Sequence, residues 1–366
     1  MENVARVLAV VVGACLVLWT VGGAVKTVVL PRGSSSILAR ALFIWLRRLV
    51  FDPIASPKRS FAFRDRVMAL YAPSALLLLP CVWIASVLFG FTLIFWGSGT
   101  DPLSEALVTS GSSLLTLGFV RSVGTPRVLL EFAEAVIGLG LISLMISYLP
   151  TIYGAFGRRE ALVGLLESRA GTPPSPAEVL TRFSRIGALQ RIDEDLFQSW
   201  EGWFADIEET HTSQPSLVFF RSPQPARSWI TAAGCVLDTA ALVCSLVDRP
   251  RDARAQLLLR TGFFSLRRIA DFFDLPYDPD PAPTDPISVT RREFDLVCIE
   301  LEAANVPLKA DRDRAWRDFA GWRVNYDTVL LDLCALTMAP PGRWSSDRMP
   351  QRRHRVRTVR HTMSRA

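Results

Sequence analysis

Long apolar runs broken by short charged stretches fill the first 156 residues, and beyond them apolar residues return at three- and four-residue intervals. Residues 7–25 and 68–96 contain no charge, the second run carrying Pro73 and Pro80; residues 128–152 hold only Glu131 and Glu134, in their first turns. At ~1.5 Å per residue each run reaches across a hydrocarbon layer of roughly 30 Å, which predicts three transmembrane helices. The first is expected to stay on the protein, because Glu2 and Arg6 make a poor basic leader and no small-residue cleavage site follows.

Charge sets the expected orientation. Arg32, Arg40, Arg47, Arg48, Lys58, Arg59, Arg64 and Arg66 lie between the first two runs against Asp52 and Asp65, and Arg158 and Arg159 follow the third. Positive flanks stay cytoplasmic, so the N-terminus is expected outside the cell membrane and the C-terminal half inside. Residues 37–51 are too short to span comfortably; Arg40 and Arg47 share a face and can meet headgroups while Phe43, Ile44 and Trp45 sit deeper, which predicts an interfacial helix on the inner leaflet.

After the third run the pattern is that of a soluble helical domain. Gly171-Thr172-Pro173-Pro174 breaks the helix leaving the membrane and reads as the linker to that domain. Ser175 to Glu178 and Thr290 to Glu293 fit capping boxes, and helices are expected near 196–209, 227–247, 251–273, 290–304 and 311–338. Residues 276–286 read as a stiff, proline-rich connector. Residues 229–247 are apolar enough to suggest a fourth span, but Asp238 at their centre favours a buried soluble helix. In the last helix Trp316, Phe319, Trp322 and Tyr326 read as a core face.

Composition sharpens this picture. The 366 residues are 50% hydrophobic and 21% charged, with a net charge of +6. Residues 343–366 hold eight arginines against Asp347, so the basic balance sits in a tail expected to be disordered, whose nearest partner is anionic lipid headgroups rather than nucleic acid. The six cysteines are scattered with no C-x-x-C pair, so reduced thiols are expected and a zinc site is not. No G-x-G-x-x-G, P-loop, EF-hand or H-E-x-x-H pattern occurs, and His211, His354 and His361 fall in predicted loop or tail. An enzyme is not expected, nor a cofactor.

The most informative stretch lies between the second and third runs: DPLSEALVTSGSSLLTLGFVRSVGTPR, residues 101–127. Asp101 as N-cap, Pro102 at the first position and Glu105 in the first turn predict a short helix over 102–115. Its residues are small or apolar, unlike a solvated loop, and Thr116-Leu117-Gly118-Phe119-Val120 follows directly.

Over residues 67–156 the chain resembles the potassium-channel pore-loop family, whose filter reads Thr-x-Gly-(Tyr/Phe)-Gly between a pore helix and an inner helix. The resemblance implies one re-entrant pore helix, which with the spans and helices read above gives an expected all-α membrane protein of three transmembrane helices, that pore helix and an α-helical cytosolic domain. Its divisions would be 1–66, the pore module 67–156, the cytosolic domain 157–342 and the tail 343–366. It also implies a homo-tetramer passing K⁺ or another monovalent cation, with Thr116, Leu117, Gly118, Phe119 and Val120 as the filter and Phe119 packed behind it. Arg121, Glu105, Glu131 and Glu134 would line or support the mouth, and Gly138, Gly140 and Pro150 would be hinge candidates on the inner helix.

Two positions depart from the family. Val120 stands for the second filter glycine, where a positive φ would strain a β-branched residue, and Arg121 stands for an aspartate. Both favour another class of reading, a non-conducting membrane anchor that displays a helical interaction domain; a transporter subunit with a partner chain is a third.

Overall fold

The computed structural model describes residues 2–29, 36–250 and 253–348, and the fold is all-helical, 75% helix with no strand among the described residues. In chain order come α1 (Glu2–Val28), α2 (Ile37–Leu46), the single turn α3 (Asp52–Ile54), α4 (Phe61–Ala69), α5 (Tyr71–Gly97), α6 (Leu103–Leu114) and α7 (Thr125–Ala170). There follow α8 (Pro176–Arg185), α9 (Gln198–Ser213), α10 (Trp229–Ser245), α11 (Ala253–Phe272), α12 (Arg291–Ala303), α13 (Arg312–Arg323) and α14 (Asp327–Thr337). Three stretches are long and apolar enough to cross a membrane: α1, the joined helix Phe61–Gly97, and α7. The chain divides into two compact units, Met1–Arg59 with Val67–Gly154, and Ser60–Arg66 with Ala155–Ala366.

In the first unit α1 lies along α5 at a distance only glycine permits. A Cβ on Gly13 would meet the Gly90 carbonyl at 2.4 Å, and one on Gly97 the Arg6 carbonyl at 2.5 Å. Small residues let helix backbones touch in this way where no hydrophobic force drives association. Trp83, Val87, Phe91 and Phe95 of α5 form the core with Val17, Ala106, Leu114 and Leu141. Asp101 does not cap α6, as its position suggests it would. Its carboxylate pairs with Arg6 at 2.7 Å, and Pro102 takes the cap position without a side-chain bond.

The second unit is built around α10, which is buried on every side. A helix apolar all round belongs in a core, and its one charge is neutralised there: Asp238 takes bonds from Arg323 and from the Tyr326 hydroxyl at 2.8 Å. Arg323 also reaches Asp327 at 2.8 Å and the Trp344 carbonyl, so one buried cation ties α10, α13, α14 and the chain beyond them. The aromatic helix expected over 311–338 is two helices. Asn325 folds back onto the Gly321 and Trp322 carbonyls at 3.0 and 3.2 Å, and Arg267 holds its own carbonyl at 2.9 Å.

Other boundaries move for equally local reasons. α7 runs through Pro150 to Ala170, placing Val163, Leu166 and Ala170 in the second unit's core, so the Gly171 break falls inside that unit. Glu178 pairs with Arg182 at 2.6 Å instead of closing a capping box with Ser175, whereas the Thr290–Glu293 box forms in full. Residues 343–348, assigned from charge to the tail, are packed: Trp344 is buried, Arg343 pairs with Glu300 at 2.9 Å and Arg348 with Glu293 at 2.7 Å. The rest of the basic tail, 349–366, lies outside the described residues.

Candidate functional site

The site is assembled from α6, the loop after it and the first half of α7. On α6 the buried positions are Ala106, Thr109, Ser110, Ser112 and Leu114, a stripe that rests on α5 and α7, while Glu105 is exposed in the first turn. α7 meets it with residues three and four apart, which share one helical face: Glu131, Glu134, Gly138 and Leu141 are all buried. Ser110 bridges both neighbours, donating to Glu134 at 2.5 Å and lying 3.1 Å from the Leu88 carbonyl. At Gly138 a Cβ would stand 2.2 Å from the Leu114 carbonyl, so the last turn of α6 sits directly on the α7 backbone. Around Gly140 nothing stands within 4 Å; it lines an open apolar groove of about 380 Å³ beside Val21 and Val25.

The loop's hydrogen bonds have one direction. The Thr116 amide donates to the Ser113 carbonyl at 3.0 Å, and those of Leu117 and Gly118 to the Ser112 carbonyl at 2.8 and 3.3 Å. The Val120 amide donates to Ser112 Oγ at 3.1 Å and the Ser122 amide to Glu131 Oε1 at 2.8 Å. Successive amides are thus drawn back onto α6 and α7. Among the described residues no hydrogen bond reaches a carbonyl oxygen from Thr116 to Val120.

Backbone conformation fits that pattern unevenly. Gly118 has φ +70°, which a glycine adopts without penalty. Val120 is not in the left-handed region, so the strain expected there does not arise; it falls on Thr116, a β-branched residue at φ +57°. Leu117 and Phe119 are 61% and 65% exposed, so within one chain the Phe119 ring is not packed behind the loop. Arg121 is exposed and forms no ion pair with Glu105, Glu131 or Glu134 among the described residues, and Pro150 is exposed on α7. Glu131 and Glu134 have other work: Glu134 accepts a hydrogen bond from α6 and Glu131 one from the loop.

Sequence reasoning missed Ser110 and Ser112, grouping Ser112 only with small packing residues. The available signal was position, since a serine in the last turn before a tight loop commonly accepts from downstream amides. No cluster of three or more metal-ligating side chains occurs among the described residues. No family model, curated protein or solved structure matches the chain.

Proposed function

We propose that the chain is one subunit of a pore-loop cation channel that passes K⁺ or a similar monovalent ion down its gradient. The observation that carries this reading is the run of unbonded carbonyls from Thr116 to Val120, backed by amides tied to Ser112, Ser113 and Glu131. A dehydrated cation needs such a set of fixed oxygen dipoles, held from behind so that they do not collapse onto it. One chain supplies one wall, so conduction requires a closed ring, and the resemblance implies four copies. α6 would re-enter the membrane with its carbonyl end toward the ion path. The exposed Leu117 and Phe119 side chains would be covered by the neighbouring subunit.

In this reading α1, α4–α5 and α7 cross the plasma membrane, the N-terminus is outside, and α2 lies along the inner leaflet. The second unit is cytoplasmic, and the arginines beyond residue 348 meet anionic headgroups. Flux into liposomes tests the filter. Gly118→Asp forces a side chain onto a φ of +70° and adds a charge beside the oxygens, so potassium uptake should vanish while the oligomer keeps its mass. Unchanged uptake would end the assignment.

The second reading, a non-conducting anchor for the helical unit, is favoured by Arg121. It is exposed beside the loop, and four copies around an entrance would repel cations. The two readings part there, because only a conducting ring gains cation flux from Arg121→Asp.

A further inference from the structure

We propose that residues 217–221 couple the helical unit to the bases of both pore-module helices, so that this unit sets how often the pore is open. The inference rests on the channel reading and concerns its regulation.

The second unit includes two pieces of membrane-crossing helix. Ser60–Arg66 opens the stretch that continues as Phe61–Gly97, and residues from Ala155 onward complete α7. Both pieces are fastened to the same short segment. Arg221, nearly buried, pairs with Asp65 and donates to the last carbonyls of α14, Thr337 at 2.7 Å and Met338 at 3.0 Å. Arg64 adds a contact to the Met338 sulfur at 2.8 Å. From the other side Arg159 of α7, fully buried, donates to the Leu217 and Phe220 carbonyls, both at 2.8 Å. The Phe156 and Phe220 rings stack obliquely at 5.5 Å.

The segment is mounted on the core. The Trp229 indole of α10 donates to the Val218 carbonyl at 3.2 Å, and the Trp203 indole of α9 to the Arg159 carbonyl at 3.1 Å. Buried guanidiniums with several donors occupied permit little sliding, because every departure leaves a carbonyl or a carboxylate unpaired in a dry place. A rearrangement of the helical unit is therefore delivered to the start of one helix and the end of the other together. Sequence alone separates the contributors widely, at Asp65, Arg159 and Arg221.

Single-channel recording of the full-length protein in planar bilayers tests this. Asp65→Asn keeps the size of the side chain and removes its charge; Arg221→Lys, milder for folding, keeps the charge and loses the planar fork. Each should change open probability by about fivefold or more, the lower end of typical coupling between sites, with unitary conductance and ion preference unchanged. The double variant should not add the two effects, since both act on one contact. Glu178→Gln, at a solvent-facing pair of the same unit, should leave open probability alone. Wild-type protein that conducts while both variants match its open probability overturns the coupling and spares the channel. Wild-type protein that never conducts overturns the channel reading, and the coupling with it.

Discussion

Gly138 and Gly140 show how two residues of one type, one turn-fraction apart, take unlike roles. Both sit mid-helix where a hinge glycine would be expected, and nothing in the sequence separates them. The structure does, because the Leu114 carbonyl presses on Gly138 while Gly140 faces an open groove. Gly138→Ala should therefore cost about 1–3 kcal/mol by overpacking, since a carbonyl on a helix end has little room to yield. Gly140→Ala should be neutral or stabilise by up to ~1 kcal/mol, the gain in helix propensity. Thermal unfolding of the detergent-solubilised protein checks both, and equal effects would show that the contact at Leu114 is not made. Thr116 is the strained residue of the loop, at a cost of about 1–2 kcal/mol, and strain of that kind persists only where surrounding bonds fix it. The bonds of Ser112 and Ser113 to the amides around it supply that constraint.

At the scale of elements, periodicity made the helices and the three long apolar stretches legible, and Asp238 correctly marked α10 as a core helix. What the sequence concealed was competition for polar groups. Asp101 and Ser175 sit at good capping positions, but Arg6 claims the first, and Arg182 claims the glutamate meant to complete the second. Arg6 is 95 residues from Asp101, beyond any spacing rule, whereas Arg182 stands at i+4 from Glu178, where two local rules compete for one carboxylate. Where the capping box does form, a pH dependence follows. Arg348 and the Thr290 cap hold the Glu293 carboxyl down to about 2, against an ordinary 4.5. A depressed carboxylate stabilises the fold fully above its unfolded value, so this contribution should fade as pH falls from about 4.5 toward 2. His211 acts earlier in an acid titration. Burial, then the neighbouring Arg159, keeps its imidazole well below 6.5. Arg159 can only donate, so Nε2 at 3.1 Å must accept, and Nδ1 carries the proton toward Thr210 at 3.1 Å. The folded state resists protonation there, and stability should decline once pH drops below about 6.5. Melting temperature against pH should show both declines, with Glu293→Gln flattening the lower one alone. A wild-type profile level from pH 7 to 5 would contradict the buried neutral His211.

At the scale of the whole molecule, α7 has two unlike faces. One stripe, from Glu131 through Gly138 to Met145, is buried within the chain, while Leu129, Phe132, Val136, Leu139 and Ile146 repeat at helical spacing with their side chains exposed. In the proposed reading a membrane or a second copy would cover that outward face and the exposed Leu117 and Phe119; the sequence displayed its apolarity but not which stripe would be left over. The proposed four-subunit ring would also concentrate charge. Four copies of Arg121 spaced on the order of 10 Å apart would repel one another, and an arriving cation, by about 0.4 kcal/mol per pair in bulk water and several times that near protein. Screening should then govern throughput. The Debye length falls from about 30 Å at 0.01 M to about 8 Å at 0.15 M, so conductance through the proposed pore should rise more steeply with salt than ion supply alone requires. Arg121→Asp should invert the relation, drawing cations to the entrance at low ionic strength and losing that advantage as salt is raised. Current measured across that salt range, in wild type and variant, decides the point. Identical salt dependence in the two would place Arg121 away from any ion path, and no current from either would return the chain to the reading of an anchor that conducts nothing.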